Sequence, residues 1–466
     1  MFMPDNSVFV KVENPNMAPD RTRNQRLSME DRLTTFHEVE KTYTEEEALR
    51  EASRCLGCPR RWCSGECPAD MPVPEFIRKV REKDYEGAYE LISSASTLPE
   101  FCSRLCPQEK QCQSDCTRSI CTEAVGIGKL ERFVVEQHYA SGAKENTAPA
   151  TGKKVAIVGS GPSGLSAAVV LARAGHSVTV FEQNALPGGL LRYGIPNMKL
   201  EKDTLDRKLR AMEDMGVSFV CGTSADAEMI QDYDAVVLAV GTGSARNIAI
   251  TGGDGAHGIY KAVDYLSGAE SAAGKDVVII GGGDTGNDCV GTALRQGAKS
   301  ITQIELLPRV TKEQVVYSPF CQRPGETKFD ASQEECLNKY LKDPHIYQAT
   351  VKSVETDRSG NLISATIVHM AADYDETRRL CMTEIPGSEE TIPCGLIVIA
   401  AGFLGPKRET AQAFGVETNA RSNINGYATN VPKVFACGDC RTGQSLVVKA
   451  MVDGRECAKA VLEFLA

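Results

Sequence analysis

This sequence lacks three kinds of feature. They are those that direct a chain to a membrane, out of the cell or onto nucleic acid. No uncharged apolar stretch is long enough to cross a bilayer. The first residues do not combine a basic region with an apolar run, so a secretory signal is not expected. Lys and Arg number 52 against 62 Asp and Glu, and the net charge of −10 argues against nucleic acid or an anionic membrane as the main partner. We therefore expect a cytoplasmic protein that has no membrane span and binds no nucleic acid.

Tryptophan and histidine are scarce, with one and six copies, whereas cysteine is abundant, with 18. Nine cysteines lie between Cys55 and Cys121, and the other nine are spread over the rest of the chain. In a long chain without a secretory signal, a dense set of cysteines indicates metal or redox chemistry. The scattered cysteines need no such explanation, because free cysteine is a common small buried residue.

The stretch "CLGCPRRWCSGECP" at 55–68 holds four of these cysteines and leaves three interpretations open. Disulfides are disfavoured because the chain is large and has no secretory signal. Zinc is disfavoured because Cys55-x2-Cys58 is not followed by a second Cys-x2-Cys, and because zinc has no redox chemistry. Iron–sulfur ligation is favoured by the number of cysteines and by the nucleotide-binding motifs that follow.

The chain length of 466 residues predicts two to three domains. Residues 1–148 form the predicted N-terminal helical domain, in which the polar residues 1–35 are an expected extended arm and residues 43–142 have helical spacing of apolar residues. The small, polar stretch 141–154 is a predicted linker. Beyond it the sequence has an α/β pattern, in which a strand, a glycine-rich turn, a helix and a second strand occur twice. The predicted fold class is α/β, with a helical N-terminal iron–sulfur domain followed by two Rossmann-like dinucleotide-binding domains.

The first α/β unit carries a G-x-G-x-x-G turn directly after the apolar strand "VAIVG". Gly159 permits the tight turn, Gly161 allows a pyrophosphate to approach, and Gly164 allows close helix–strand packing. The helix that follows directs free N–H groups at the phosphates. Glu182 ends the second strand, where a carboxylate that holds a ribose is expected. The full set of predicted residues in this turn is Gly159, Ser160, Gly161, Pro162, Ser163 and Gly164.

The second unit repeats this arrangement after the strand "VVIIG". Its predicted nucleotide-binding residues are Gly281, Gly283, Asp284, Thr285 and Gly286. Glu305 ends the second strand of the unit, and an acidic residue there accepts hydrogen bonds from a ribose 2′-OH and repels a 2′-phosphate. Arg309, the nearest arginine, lies beyond Pro308. The sequence therefore favours NADH over NADPH.

Two dinucleotide modules in one chain indicate FAD in the first and a nicotinamide cofactor in the second. Gly188 and Gly189 would let backbone approach a flavin closely, and "ACGDC" at 436–440 precedes a C-terminal helix that could meet another part of it. We therefore predict an FAD domain at 149–262 and 396–466, interrupted by an NAD(P)H domain at 263–395. Hydride transfer needs no acid or base, so no catalytic residue is predicted.

These motifs together resemble the small (beta) subunit of glutamate synthase. The resemblance covers nearly the full chain, including the spacing of the cysteines, "STLPEFCSRLCPQEKQCQSDC", "IGKLERFV", "VAIVGSGPSGL", "GGLLRYGIPNMKL", "GGGDTGNDCV" and "VFACGDCRTGQSLVVKAM". Related modules occur in ferredoxin:NADP bifurcating enzymes and in dihydropyrimidine dehydrogenase. The resemblance implies electron transfer from the nicotinamide cofactor through FAD to a large, glutamate-forming partner subunit. The alternatives are a subunit of a ferredoxin-linked or sulfide-reducing enzyme, a stand-alone oxidoreductase and a non-enzymatic zinc scaffold.

The resemblance also implies two 4Fe–4S clusters with interleaved ligands. One cluster would use Cys55, Cys58, Cys63 and Cys116. The other would use Cys67, Cys106, Cys112 and Glu131. Cys102 and Cys121 remain outside both sets and are expected to be small buried cysteines. In the flavin and nucleotide sites, the resemblance implies contacts from Gly189, Leu190, Lys199, Gly438 and Asp439.

Overall fold

The first part of the chain is helical, as predicted. The computed structural model of the protein describes residues 12, 14–243, 245–310, 315–317, 322–324, 329–377 and 379–466. The N-terminal helices are α1 (Met29–Thr34), α2 (Glu45–Ala52), α3 (Trp62–Gly65), α4 (Val73–Arg81), α5 (Tyr85–Ala95), α6 (Pro99–Leu105) and α7 (Ile127–Ser141), with 3-10 turns at Gln108–Lys110 and Thr117–Ile120. Thr44 starts α2 through a capping box with Glu47, which satisfies free N–H groups at the helix start. Apolar side chains of α4, α5 and α7 form one buried core around which the cysteines lie.

An α/β unit follows the helical domain. Its elements are β1 (Lys154–Val158), α8 (Pro162–Arg173), β2 (Ser177–Phe181), α9 (Leu190–Tyr193), α10 (Lys202–Asp214), β3 (Ser218–Val220) and β4 (Ala235–Leu238). The four strands are parallel, and β1 lies between β2 and β4. After its first residue β1 is buried along its whole length, as expected for a parallel strand covered on both faces.

The next segment builds a second parallel sheet. Its elements are β5 (Ile259–Lys261), α11 (Ala262–Leu266), β6 (Asp276–Ile280), α12 (Asp284–Arg295), β7 (Ser300–Glu305), β8 (Val315–Tyr317), β9 (Gln322–Pro324), α13 (Ala331–Tyr340) and β10 (His345–Tyr347). An antiparallel group follows it, formed by β11 (Ala349–Thr356), β12 (Leu362–Tyr374), β13 (Leu380–Glu384) and β14 (Glu390–Pro393). In this group β12 is the central strand and pairs with the other three.

The last segment returns to both sheets. It contains β15 (Leu396–Ile399), α14 (Arg408–Ala413), β16 (Val434–Ala436), α15 (Asp439–Thr442) and α16 (Val447–Leu465). The order of the first sheet is β16-β4-β1-β2-β3, so the tail completes the first domain, as predicted. The Oγ of Ser166 on α8 donates to the carbonyl of Met451 on α16 at 2.6 Å, which joins the tail to the first nucleotide-binding turn.

The predicted domain boundaries at 262/263 and 395/396 are displaced. The order of the second sheet is β10-β7-β6-β15-β5, so both β5 and β15 belong to it. Ile397 pairs with Ile259 on one side and with Val278 on the other. A cut at either predicted boundary would remove a strand from the second sheet. The inserted domain therefore begins before β5 and ends after β15.

Residues 14–43, which we term the N-terminal strap, contact all three domains. The N–H of Thr22 donates to Glu51 of the helical domain at 2.6 Å. Arg32 on α1 pairs with Glu335 of the second nucleotide domain at 2.9 Å, and both side chains are buried. The N–H of Val39 donates to the carbonyl of Met198 in the first nucleotide domain at 3.0 Å. The strap therefore holds the three domains in one arrangement. Among the described helices, none is both long enough and apolar enough to span a membrane.

Candidate flavin, nucleotide and iron–sulfur sites

The first glycine-rich turn has the geometry of a dinucleotide cradle. Gly159 lies at φ +102°, where an added Cβ would come within 2.5 Å of the carbonyl oxygen of Ala239. A Cβ on Gly164 would lie 2.0 Å from the carbonyl oxygen of Gly159, so α8 packs directly on the turn. By contrast, a Cβ on Gly161 would meet nothing within 4 Å. Gly159 and Gly164 are therefore needed for packing. Gly161 faces open space in which a pyrophosphate would fit.

Glu182 lies beside this turn, although it is distant in sequence. It is buried, and it accepts a hydrogen bond from the N–H of Ser160 at 3.1 Å. Its other oxygen accepts from the N–H of Asn184 at 2.8 Å. These bonds fix the carboxylate at the end of β2, the position predicted for a ribose-binding acid.

Two further loops converge on the same turn. Gly189 has φ +51°, and a Cβ there would lie 2.7 Å from the Cα of Gly161. Gly438 has φ +76°, and a Cβ there would lie 2.2 Å from the Oγ of Ser163. Such approaches are possible only without a side chain. The structure therefore brings the predicted "GGLLRYG" and "ACGDC" segments to the glycine-rich turn.

Asp439 starts α15 at this junction. Burial raises its pKa, and its carboxylate accepts a hydrogen bond from the Oγ of Ser445 at 2.6 Å. The neighbouring Cys437 and Cys440 are fully buried, and Cys440 donates to the carbonyl of Leu238. The two cysteines are therefore packed inside the first nucleotide domain.

The second glycine-rich turn repeats the geometry of the first. A Cβ on Gly281, at φ +129°, would lie 2.4 Å from the carbonyl oxygen of Ala400, and one on Gly286 would lie 2.0 Å from the carbonyl oxygen of Gly281. Gly283 faces open space. The side chains of Asp284 and Thr285 line the cleft described below. This turn can therefore receive a second dinucleotide.

Glu305 lies at the rim of the second turn. Its Oε2 is so close to Gly282 that a Cβ on that glycine would be 2.1 Å away. Its Oε1 accepts a hydrogen bond from the N–H of Leu307 at 2.8 Å. The guanidinium of Arg309 instead lies over the ring of Tyr347, 5.9 Å from its centroid. The acid, rather than the arginine, is therefore at the edge of the cradle.

A cleft of about 1220 Å³ lies between the second nucleotide turn and the helical domain. Leu190 and Lys199 line it from the first nucleotide domain, and Thr285 lines it from the second. Cys106 lines it from the helical domain. The N-terminal strap forms another wall. A predicted cluster ligand, the second nucleotide turn and two predicted flavin-site residues thus face one space.

Lys199 forms an ion pair that the sequence did not reveal. Its Nζ lies 2.6 Å from Asp288 on α12 and 3.2 Å from Asp330 at the start of α13. Burial opposes the charge of the lysine, but Asp288 and Asp330 raise the pKa of Lys199. Burial raises the pKa of Asp288 to about 6. A sequence signal existed for Asp288, because it follows Asp284 by one helical turn and so shares its face.

Four of the cysteines surround one cavity in the helical domain. They are Cys55, Cys58, Cys63 and Cys116, the set expected for the first cluster. Burial raises the pKa of Cys55 to about 11, and the neighbouring thiols of Cys116 and Cys58 also raise it. Cys58 also lies 3.2 Å from the Oγ1 of Thr117. Three cysteines of the first stretch and Cys116 from the next thus line one cavity.

One member of the second expected set, Cys106, borders the cleft. Burial raises the pKa of Cys112, and the nearby Cys67, Glu131, Cys63 and Cys116 raise it further, so Cys112 lies near members of both sets. Burial likewise raises the pKa of Glu131, whose Oε1 is buried with no hydrogen-bond partner among the described residues. Cys106 also has Glu131 as an electrostatic neighbour. An orphaned buried carboxylate is costly, so Glu131 fits a residue that completes a ligand set.

The two expected ligand sets consist mainly of thiols, the donors that hold 4Fe–4S clusters through separate irons. Within the described ranges, no group of three or more His, Cys, Asp or Glu side chains is close enough to hold one metal ion.

The two cysteines expected outside the ligand sets differ from each other. Cys102 is buried, as expected. Cys121 is exposed, so the expectation of burial was wrong for it. It follows the 3-10 turn that carries Thr117, and such a short surface turn gives no pattern from which burial can be read.

Comparisons with known proteins agree with this arrangement. Residues 153–454 match a family model described as pyridine nucleotide-disulphide oxidoreductase, and residues 32–143 match one described as dihydropyrimidine dehydrogenase domain II, 4Fe-4S cluster. The chain is therefore a pyridine nucleotide-dependent flavin oxidoreductase with an iron–sulfur domain. The small chain of NADPH glutamate synthase from Bacillus subtilis is 36% identical, with 93% of this chain and 94% of that protein covered. The Escherichia coli small chain is 31% identical, with 93% and 95% covered. This chain belongs to the glutamate synthase small-chain family.

Other relatives are much longer. The NADH glutamate synthase of Schizosaccharomyces pombe is 37% identical over 92% of this chain, but the match spans only 22% of that protein. Among solved structures, FprA from Mycobacterium tuberculosis superposes with a TM-score of 0.53 at 18% identity, covering 68% of this chain and 85% of that one. This likeness supports the fold of the two nucleotide domains alone.

Proposed function

We propose that this chain passes electrons from NADH through FAD and two 4Fe–4S clusters to a large partner subunit that forms glutamate. The observation that carries the proposal is the shared cleft, in which Cys106 faces the same space as Lys199 and Thr285. Family membership supports a reduced nicotinamide cofactor as the electron donor and supports the iron–sulfur domain, although the Bacillus subtilis and Escherichia coli small chains are named for NADPH and the long yeast relatives for NADH. The long yeast relatives, in which a region like this chain is one part of a larger glutamate synthase, support a large partner.

The chain's own residues bind and orient the cofactors. When bound, FAD accepts a hydride from the dihydronicotinamide and the clusters carry single electrons. Gly161 and Gly283 leave room for the two pyrophosphates, and Glu182 and Glu305 lie where each ribose would sit. Lys199 brings a positive charge, held by Asp288, to the cleft between the two cradles. No residue is needed as a general acid or base.

The two ligand sets differ in their position relative to the cleft. The set of Cys67, Cys106, Cys112 and Glu131 reaches the cleft through Cys106. The set that contains Cys58 lines a separate cavity, which shares no lining residue with the cleft and also includes Arg60 and Trp62. We infer that the set with Cys106 would hold the cluster that borders the cleft and that the set with Cys58 would hold the other cluster, each of which would carry single electrons.

The position of Glu305 supports NADH as the donor. A carboxylate at the rim of the second turn accepts hydrogen bonds from a ribose 2′-OH and repels a 2′-phosphate. A charged hydrogen bond contributes about 1.5–3 kcal/mol. Glu305→Gln is therefore expected to raise KM for NADH by roughly ten- to a hundredfold and to narrow the preference over NADPH. An unchanged ratio between kcat/KM for NADH and kcat/KM for NADPH would contradict NADH as the donor.

A single preparation tests the function. Anaerobic purification from the native source is expected to yield iron, flavin and a very large amidotransferase partner. The isolated chain should reduce artificial acceptors with NADH but form no glutamate from glutamine and 2-oxoglutarate. Co-purification with a ferredoxin-like protein instead would favour the other acceptor, and glutamate formation by the isolated chain would refute the proposal. The free thiols of all described cysteines suit a reducing compartment, so we propose a cytoplasmic location.

A further inference from the structure

The strap helix α1 packs as a part of the second nucleotide domain, although it precedes the helical domain in the sequence. Leu33 packs against the buried core that Cys289 and Val290 of α12 help to form. The guanidinium of Arg32 donates to the carbonyl of Ala331, the first residue of α13, at 3.3 Å. An apolar and a charged side chain of the strap thus fix α1 to two helices of this domain.

Two arginines hold Glu335 of α13 between them. The Nε of Arg32 lies 2.9 Å from one carboxylate oxygen, and the Nη1 of Arg295 on α12 lies 2.7 Å from the other. The side chains of Arg32, Glu335 and Arg295 are 5%, 1% and 0% exposed. The Nε of Arg295 also donates to the carbonyl of Thr35 in the strap at 2.9 Å. Since a buried charge that loses its partner is strongly unfavourable, this contact resists opening.

The strap is anchored again a few residues later, on the other two domains. Glu38 accepts a hydrogen bond from Arg104 of the helical domain at 2.8 Å. Next to it, the N–H of Val39 donates to the carbonyl of Met198 in the first nucleotide domain at 3.0 Å. The four steps of chain from Thr34, the end of α1, to Glu38 can span at most about 14 Å. This short tether limits the movement of the second nucleotide domain while both anchors hold.

The two anchors grip both sides of the Lys199 ion pair. Asp288, which pairs with Lys199, is on α12 together with Arg295. Asp330, its other partner, caps α13, which carries Glu335. The second anchor binds the residue that directly precedes Lys199. The strap therefore spans the junction between the two nucleotide domains.

We propose that Arg32 is a positioning residue for hydride transfer, because it fixes α1 and thereby sets the spacing between the flavin and nicotinamide cradles. In that step one hydride, with its two electrons, leaves the dihydronicotinamide and is taken up by FAD, so no further reactant is needed. A misplacement of about 1 Å can slow a reaction between bound groups by about a hundredfold. Binding of NADH to its own cradle does not depend on this spacing. The inference rests on the cofactors of the proposed function.

Stopped-flow reduction of the flavin by NADH and hydrogen exchange of the strap test the proposal together. Arg32→Ala should lower the limiting rate of flavin reduction at least about tenfold, with little change in the NADH concentration that gives half of this rate. The backbone amides of α1 should exchange faster in the same variant. Arg32→Lys keeps a positive charge beside Glu335 and should restore part of the rate. Thr34→Ala, at an exposed position of α1, should match the wild type in both measurements.

A longer tether separates the positioning role from a role in folding. Four glycines inserted between Phe36 and His37, which are both exposed, keep every anchoring side chain. The insertion should slow flavin reduction as Arg32→Ala does and leave the flavin content unchanged. It also serves as the test if Arg32→Ala does not fold.

A wild-type rate of flavin reduction in the insertion variant or in folded Arg32→Ala would overturn the proposal. A higher half-saturating NADH concentration with an unchanged limiting rate would also overturn it, because Arg32 would then act on binding. Failure of the proposed function is recognised separately, since the flavin of the wild-type protein would then not be reduced by NADH.

Discussion

The Nζ of Lys199 lies 2.6 Å from the Oδ1 of Asp288, across the boundary between the two nucleotide domains. The adjacent Met198 fills the space beside Gly291, where an added Cβ would come 2.3 Å from its Cε. An ionic contact and an apolar contact thus join the same loop to α12. The distance between the two cradles depends on this junction.

Removal of the lysine should harm the protein more than removal of its first partner. Lys199→Met leaves Asp288 and Asp330 near each other and buried, which should lower the free energy of unfolding by about 3–5 kcal/mol. Asp288→Asn leaves the lysine paired with Asp330 at 3.2 Å, so a smaller loss is expected. Urea unfolding measures both. The double variant with Lys199→Met and Asp288→Asn should be more stable than Lys199→Met alone. A double variant that is less stable than Lys199→Met would contradict the role of the ion pair.

Substitution of single cysteines should separate the two clusters. Cys58→Ser is expected to remove the EPR signal of one cluster, and Cys67→Ser that of the other, although both residues lie in the same short stretch. Glu131→Ala should affect the same cluster as Cys67→Ser, because its orphaned carboxylate lies in that set. Iron content should fall by about half in each variant, as expected for two four-iron clusters.

The scattered Cys221, half-buried in the first nucleotide domain, provides the control for these substitutions. Cys221→Ser should keep both signals and the full iron content. Loss of both signals in Cys58→Ser alone would point to a folding defect, and loss of one signal in Cys221→Ser would contradict the ligand sets.

The open glycines of the two turns should affect one cofactor each. Gly161→Ala and Gly283→Ala introduce a methyl group that meets no protein atom within 4 Å. Folding should therefore be unchanged, whereas the space for one pyrophosphate is reduced. Gly161→Ala is expected to weaken FAD binding at least about tenfold, which corresponds to about 1.4 kcal/mol. Gly283→Ala should raise KM for NADH by a similar factor and keep the flavin.

Flavin absorbance and steady-state kinetics measure the two effects, and each variant is the control for the other. A contrasting variant is Gly164→Ala, in which the added Cβ would lie 2.0 Å from a backbone oxygen. It should lower stability as well as flavin content. Equal flavin content in Gly161→Ala and the wild type would argue against FAD in the first cradle.

A partly buried carboxylate should make the docking of the helical domain sensitive to acid. Glu136 on α7 pairs with Arg104 at 2.7 Å and with Arg207 on α10 at 2.7 Å. Burial alone would raise its pKa, but the two arginines lower the pKa to about 2. A lowered carboxyl pKa stabilises the folded protein above pH 4.5, and this stabilisation is lost as the pH falls from 4.5 towards 2.

The shift corresponds to about 3 kcal/mol at neutral pH. Glu136→Gln should therefore lose much of this amount at pH 7 and less than half of it at pH 3, as measured by urea unfolding at both pH values. Glu82→Gln is the control, because Glu82 pairs with Arg78 on the surface and such pairs contribute at most about 1 kcal/mol. A loss in Glu136→Gln that does not change with pH would contradict the assignment.

The sequence predicted features that are encoded locally. Each glycine-rich turn follows an apolar strand, and Glu182 and Glu305 follow the next strand, so spacing alone places them beside the turn. The expectation that Cys116 completes the set containing Cys63 depended on family resemblance. Four close cysteines do not reveal which distant residue completes a ligand set.

What the sequence could not predict depends on long-range pairing. The segment Leu396–Ile399 is a buried apolar run that would suit either sheet, and only its pairing with Ile259 and Val278 assigns it to the second. The partners of Lys199 are distant in sequence, and no spacing rule connects Lys199 with Asp330. The ion pair between Arg32 and Glu335 could not be predicted from the sequence for the same reason.

The flavin domain is closed by residues that are synthesised late. Ser166 bonds to Met451, which follows it by 285 positions, and β16 joins the first sheet only after the inserted domain is complete. During translation the helical domain and the nicotinamide domain can therefore finish their cores while the flavin domain still lacks a strand and its covering helix. Incorporation of FAD must then be a late step in biogenesis, and a ribosome that stalls before residue 434 would release a chain unable to hold its flavin.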